Sequence, residues 1–183
     1  MQANWFVALR VLGADFLARL VPPPQVRLFS ADDLHITLAF LGKVSEQSAL
    51  FSFGHAIELP LAALSTELGS VVALGARRRP SAFSALPVSQ RSEIEAVMTA
   101  VRDSLCDAAG AARESRPALA HVTFARPSRR ASAQEVEVAR VWATGLDLGQ
   151  PRVRIESVAL YSWASDRTRT LFRIVAEQPL AGA

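Results

Sequence analysis

The sequence predicts an α+β fold of antiparallel sheets, in two lobes related by an approximate two-fold, with helices outside and a cleft between the lobes. Three observations carry this expectation. Helical segments are interspersed with strands in the order β, α, a group of strands, α, strand, α, hairpin, with neither a regular βαβ period nor a Gly-rich phosphate loop. The stretch His35-Ile36-Thr37-Leu38-Ala39 returns in outline as His121-Val122-Thr123-Phe124-Ala125. Each copy stands roughly central in its own half of the chain, which suggests two facing strands.

Taken in order, residues 5–11 are rich in aromatic and branched side chains and read as a first strand. Residues 13–21 set Asp15, Phe16, Leu17 and Leu20 at helical spacing, and Pro22-Pro23-Pro24 stops them. Residues 26–29 read as a short edge strand. Ser30-Ala31-Asp32-Asp33 is the turn that delivers the chain into the His35 strand, which Gly42 ends. Ser45 opens a helix expected to run to about Glu58, with Leu50, Phe51, Phe53 and Ile57 inward and Pro60 closing it. His55 on that helix reads as structural or surface.

Residues 61–67, 70–75 and 81–86 read as three short strands, separated by Gly69 and by Arg77-Arg78-Arg79-Pro80. The arginine triplet is a solvated turn or, less simply, a phosphate-facing patch. Residues 87–110 form the clearest helix, with Ile94, Val97, Met98, Val101, Leu105 and Cys106 as its apolar stripe and Gly110 as its stop. The polar loop 111–117, with Arg113 and Arg116, leads into the His121 strand, which Pro127 ends. Ser132 and Glu135 form a capping-box pattern for a helix to about Trp142. Residues 152–163 and 169–177 pair as a hairpin across an Asp166-Arg167 turn.

On a strand, side chains alternate between faces, so His and Thr two residues apart share one face. Each copy of the repeat therefore aims an imidazole and a hydroxyl the same way. With an ordinary pKa near 6.5, two imidazoles hold opposite protonation states at neutral pH, one as base and one as acid. Displacement at phosphorus needs entering and leaving oxygens roughly in line, so acid and base must flank the phosphorus. Two strands related by a two-fold supply that geometry, with Thr37 and Thr123 placed to hydrogen-bond the non-bridging oxygens. Arg126 adds a cationic contact only if the strand twists or ends there, because strict alternation points it away from His121.

Other readings of the pair are weaker or equal on spacing alone. A catalytic zinc site takes three protein ligands, and no His-x-x-x-His or Cys-x-x-Cys spacing is present. No Gly-x-Ser-x-Gly elbow supports a serine nucleophile. Two core histidines with satisfied hydrogen bonds remain open.

The 183 residues fit a single domain, 1–183, and 50% hydrophobic with 20% charged residues is a globular balance that excludes a disordered chain. No apolar run approaches the roughly eighteen residues that a membrane span needs. The first residues have neither a basic n-region nor a long apolar run, so no signal peptide is expected. A single cysteine, Cys106, excludes an intramolecular disulfide and fits a reducing cytoplasm. Lys43 is the only lysine among 20 basic residues, and the net charge is +3. Arginine's planar fork suits phosphate oxygens, although a compositional bias of the genome explains the same excess.

The paired His-Ile-Thr-Leu and His-Val-Thr-Phe segments resemble the signature of the 2H phosphoesterase superfamily, and within it the RNA 2',3'-cyclic phosphodiesterases, or 2'-5' RNA ligase family. The resemblance spans nearly the whole chain: Phe6-Val7-Ala8-Leu9, residues 34–42 through Phe40-Leu41-Gly42, Arg79-Pro80, residues 120–126 and the hairpin with Tyr161-Ser162. Phe124 stands where an aliphatic residue is usual, and Phe29 and Phe172 stand at positions where the family often has an aromatic residue and a tyrosine. The resemblance implies a two-lobed fold and metal-independent opening of a 2',3'-cyclic phosphate to a 2'-phosphomonoester, with reversible 2'-5' joining as a side activity. It implies His35 and His121 as the acid–base pair, with His121 as base and His35 as acid, and Thr37, Thr123 and Arg126 as phosphate-binding residues. The implied partner is RNA or a nucleotide with a 2',3'-cyclic phosphate. No cofactor, metal or membrane is implied, and a monomer is expected. A non-catalytic nucleotide- or RNA-binding module of the same fold, or an enzyme for another cyclic phosphate, are the alternatives.

Overall fold

In the computed structural model, which describes residues 3–57 and 59–183, eight strands and three helices follow one another. The strands are β1 (Trp5–Leu12), β2 (Val26–Leu28), β3 (His35–Gly42), β4 (Leu64–Ala76), β5 (Arg79–Pro87), β6 (Val122–Pro127), β7 (Arg152–Trp163) and β8 (Phe172–Pro179). The helices are α1 (Glu46–Gly54), α2 (Arg91–Ala109) and α3 (Ala133–Thr144). All pairs between these strands are antiparallel, along the path β2-β6-β5-β4-β7-β1-β3, with β8 added beside β7. The α+β class and the antiparallel pairing are therefore as the sequence predicts.

One strand joins two arms of this path. Leu64 to Glu67 of β4 pair with β7, while Leu68 to Ala76 pair with β5. The two segments expected on either side of Gly69 are thus a single strand. A register shift lies between Leu68 and Val71, and a Cβ at Gly69 would come within 2.8 Å of Val88 Cγ2. Glycine there lets the strand bend from one arm into the other without a break. Ile36, Leu38, Val7 and Leu9 from one arm share one buried core with Phe83, Val122 and Phe124 from the other. Ile94, Val97, Met98, Leu105 and Cys106 of α2 complete it.

Several expected elements are shorter or differently faced. Residues 13–21 contain only a 3-10 turn, Asp15–Arg19, in which Phe16 alone is buried. Gly13 (φ +96°) turns the chain so close to β7 that a Cβ would sit 2.9 Å from the Arg152 carbonyl, and the prolines follow at once. Helix α1 ends at Gly54, and the expected end at Glu58 lies outside the described residues. Its inner face is Ala49, Ser52 and Phe53, whereas Leu50, Phe51 and Ile57 are exposed. The small residues let α1 lie close to α2, where Ser52 Oγ donates to the Leu105 carbonyl at 2.7 Å.

Helix α2 starts at Arg91 because β5 runs on through Pro87, and Val101 of the expected stripe is only half-buried. Gly110 (φ +67°) caps its end and Cys106 is buried on it. Arg77 and Arg78 form the exposed β4–β5 turn, the solvated alternative, and His55 is exposed at the end of α1. Strand β8 begins at Phe172, three residues later than expected, leaving a wider loop around Asp166 and Arg167. Among the described residues, no helix is long and apolar enough to cross a membrane.

Candidate active site

Strands β3 and β6 are not hydrogen-bonded neighbours, yet they approach with Cα atoms within 8 Å. The repeated motif is thus brought together from opposite arms of the strand path. The two imidazoles are held in the same way. His35 Nδ1 donates to the Asp33 carbonyl and His121 Nδ1 to the Leu119 carbonyl, each at 2.7 Å and each two residues back. A carbonyl oxygen only accepts, so the shared hydrogen sits on Nδ1, which leaves Nε2 of each ring as the nitrogen not engaged by the main chain.

Each motif strand also carries a bulge at the same motif position. Along β3, Ala39 faces Val7 and Thr37 faces Ala8, so Leu38 has no partner on β1. Along β6, Ala125 faces Phe83 and Thr123 faces Ser84, so Phe124 has no partner on β5. Leu38 and Ala39 are both buried, as are Phe124 and Ala125, which is the mark of an interrupted alternation. One extra residue reverses the faces beyond it. Arg126, which strict alternation would send away from His121, returns to the side of His121 and Thr123. Its guanidinium lies 5.2 Å from the centre of the Phe29 ring.

Aromatic side chains surround His35. Phe6 lies 4.8 Å away between ring centres, Tyr161 5.3 Å and Phe172 5.4 Å. Phe29 packs edge-on against Phe172, which links the Arg126 contact to the same cluster. Burial is the main reason that the His35 pKa is pushed down to about 4. The bond to the Asp33 carbonyl opposes this, and the charges of Arg126 and His121 reinforce it. His121 is also lowered by burial, against its bond to the Leu119 carbonyl, and further by the Arg116 charge. Arg126 is lowered by burial and by the neighbouring charges of Arg167 and Arg129. Arg126 nevertheless keeps more than a third of its surface open, so the lowering leaves a guanidinium charged at any ordinary pH.

Thr37 is half-buried opposite Ala8. Thr123 is nearly closed off at 8% exposure, and its Oγ1 shares a 2.9 Å hydrogen bond with Ser84 Oγ. Two further residues support the site and were not singled out from the sequence. Ser84, fully buried on β5, fixes the Thr123 hydroxyl. Asp33, also fully buried, accepts the backbone N–H of Leu171 at 2.8 and 2.9 Å and of Phe172 at 3.0 Å. It therefore ties the start of β8, with Phe172, to the carbonyl that orients His35. In sequence Asp33 is one of two adjacent turn acids and Ser84 an ordinary strand serine, so neither carries a signal of its own. Among the described residues, no group of three or more His, Cys, Asp or Glu gathers in a way that could hold a metal ion.

No protein-family model matches the sequence, and no curated protein does. Solved structures do match its fold. Escherichia coli LigT complexed with 3'-AMP superposes with a TM-score of 0.68 at 22% identity, over 97% of each chain. TT0787 of Thermus thermophilus gives 0.69 at 17% identity over 98% of each chain. Usb1 of Kluyveromyces marxianus gives 0.53 at 12% identity over 97% of each. LigT has also been crystallised with ATP and with NADP+.

Proposed function

We propose that this chain, whose fold is that of the 2H phosphoesterases, is an RNA 2',3'-cyclic phosphodiesterase that opens the cyclic phosphate at an RNA end to a 2'-phosphomonoester. The observation that carries this reading is the matched pair of His-x-Thr-x strands. They approach from different arms of the sheet, each bulged after its threonine, each with Nδ1–H bonded to the carbonyl two residues back. That matching also supports two lobes related by an approximate two-fold about a shared cleft. Core histidines without a task would have no reason to be set in duplicate in this way. The nucleotides held by LigT favour a nucleotide ligand here.

In the proposed step, a water oxygen bonds to phosphorus while the P–O3' bond breaks. One Nε2 takes the water proton and the other gives a proton to O3', leaving a 2'-phosphate and a 3'-hydroxyl. Thr37, Thr123 and Arg126 hydrogen-bond the non-bridging oxygens as their charge grows. A 5'-hydroxyl in place of water would give a 2'-5' linkage by the same proton transfers. The sequence resemblance implies His121 as base and His35 as acid. Burial lowers both rings, so their shifts do not separate the two roles. We assign His121 as base and His35 as acid.

Replacing either histidine by alanine is expected to lower turnover of a 2',3'-cyclic nucleotide, assayed in EDTA, by about two to four orders of magnitude. The double variant should be little worse than either single one. Turnover that survives loss of His121 would overturn the reading. Ligand binding without product would instead support the non-catalytic module. A substrate with sulfur in place of O3' separates the roles, since a thiolate leaves without a proton. It should rescue His35→Ala and not His121→Ala; the opposite pattern would reverse the two roles.

A further inference from the structure

Four arginines stand together at the Arg126 end of the histidine pair. Arg27 on β2 and Arg126 on β6 are directly opposite each other in the strand register. Like charges placed so destabilise an antiparallel pair. Arg167, on the β7–β8 loop, lies 4.6 Å from the centre of the Trp163 ring. Trp163 is paired in register with Phe172, the residue that packs on His35. Arg27 Nη2 donates to the Thr168 carbonyl of the same loop at 3.2 Å, which draws the β2 edge to it. Arg129 follows just beyond β6.

Six arginines elsewhere on the molecule, Arg10, Arg91, Arg113, Arg116, Arg140 and Arg154, each have a carboxylate partner, while others stand singly on the surface. Among the described residues, none of Arg27, Arg126, Arg129 and Arg167 has one within 4.0 Å. Asp33 is near, but its carboxylate is committed to the Leu171 and Phe172 amides. The Arg167 Nε is buried with no hydrogen-bond partner at all. After burial itself, the charges of Arg167 and Arg129 weaken the hold of Arg126 on its proton, and those of Arg27 and Arg129 weaken that of Arg167. A cluster of forked donors, uncompensated and partly desolvated, is a site built for an anion.

We infer that this cluster is a second phosphate site, taking the phosphodiester on the 5' side of the nucleotide whose cyclic phosphate lies between the histidines. The inference rests on the proposed function for the first site. It makes the substrate an oligonucleotide end rather than a mononucleotide, because a nucleoside 2',3'-cyclic phosphate has no phosphate to place among these arginines. Arg126 stands between the two sites, and Arg27 and Arg167 belong to the second.

Three substrates test it: adenosine 2',3'-cyclic phosphate, its 5'-phosphorylated form, and the dinucleotide ApA ending in a 2',3'-cyclic phosphate. The dinucleotide should exceed the mononucleotide in kcat/KM by about tenfold or more, and the 5'-phosphorylated form should side with the dinucleotide. The double variant Arg27→Gln with Arg167→Gln should bring the ratio close to one, while Arg140→Gln, a paired arginine on α3, should leave it unchanged. Equal kcat/KM for all three, or a 5'-phosphorylated form as poor as the mononucleotide, overturns the second site. If none of the three is turned over, the proposed function fails by itself. Calorimetric binding of adenosine 2'-phosphate against ApA 2'-phosphate then decides the arginine site: tighter dinucleotide binding lost in the double variant supports it, and equal binding overturns it.

Discussion

The His35 ring is enclosed by Phe6, Tyr161 and Phe172, and apolar walls disfavour its charged form. With His35 lowered to about 4 and His121 also lowered from its ordinary 6.5, both titrations fall on the acidic side of neutrality. One ring must be protonated and the other free, so activity is lost as pH falls through the lower pKa and as pH rises through the upper one. The kcat/KM profile should therefore be a bell with its maximum below pH 6.5, and a plateau from pH 7 to 8 would contradict it. The histidines and threonines were legible in the sequence because the same residue types recur at the same offsets. Asp33 and Ser84 were not, since a buried acid or hydroxyl declares itself only when its partners are assembled around it.

At the scale of the elements, the bulges decide which side chains meet. Alternation predicts the faces of His35 and Thr37 correctly, but a bulge is a pairing event with the neighbouring strand and leaves no local mark. For that reason Arg126 looked misplaced until β5 was laid beside β6. The face of α1 failed for a related reason: Leu50, Phe51 and Ile57 are more hydrophobic than Ala49 and Ser52, yet close approach to α2 selects the smaller side. The hold on β8 is likewise non-local, through Asp33 on Leu171 and Phe172. Replacing Asp33 by alanine should lower the unfolding free energy by about 2 kcal/mol, the scale of hydrogen bonds to a charged acceptor. Denaturant melts would check this, and an unchanged midpoint would mean that those amides find other acceptors.

Over the whole molecule, β4 belongs to both arms and the buried apolar side chains of both arms form one connected cluster. The chain should accordingly unfold in one transition, with calorimetric and van't Hoff enthalpies equal. Two resolved transitions would show that the arms are separately stable. The mixture of strands and helices and the lack of βαβ order made the fold class legible. The bend at Gly69 hid the strand that joins the arms, because glycine between two apolar runs reads as an interruption. One consequence follows from the way both imidazoles are tethered. With Nδ1 committed to the main chain on either side, no relay through a carboxylate can carry hydrogen behind the rings. In the proposed cycle, the hydrogen ion that one ring gains and the other loses must therefore return through solvent.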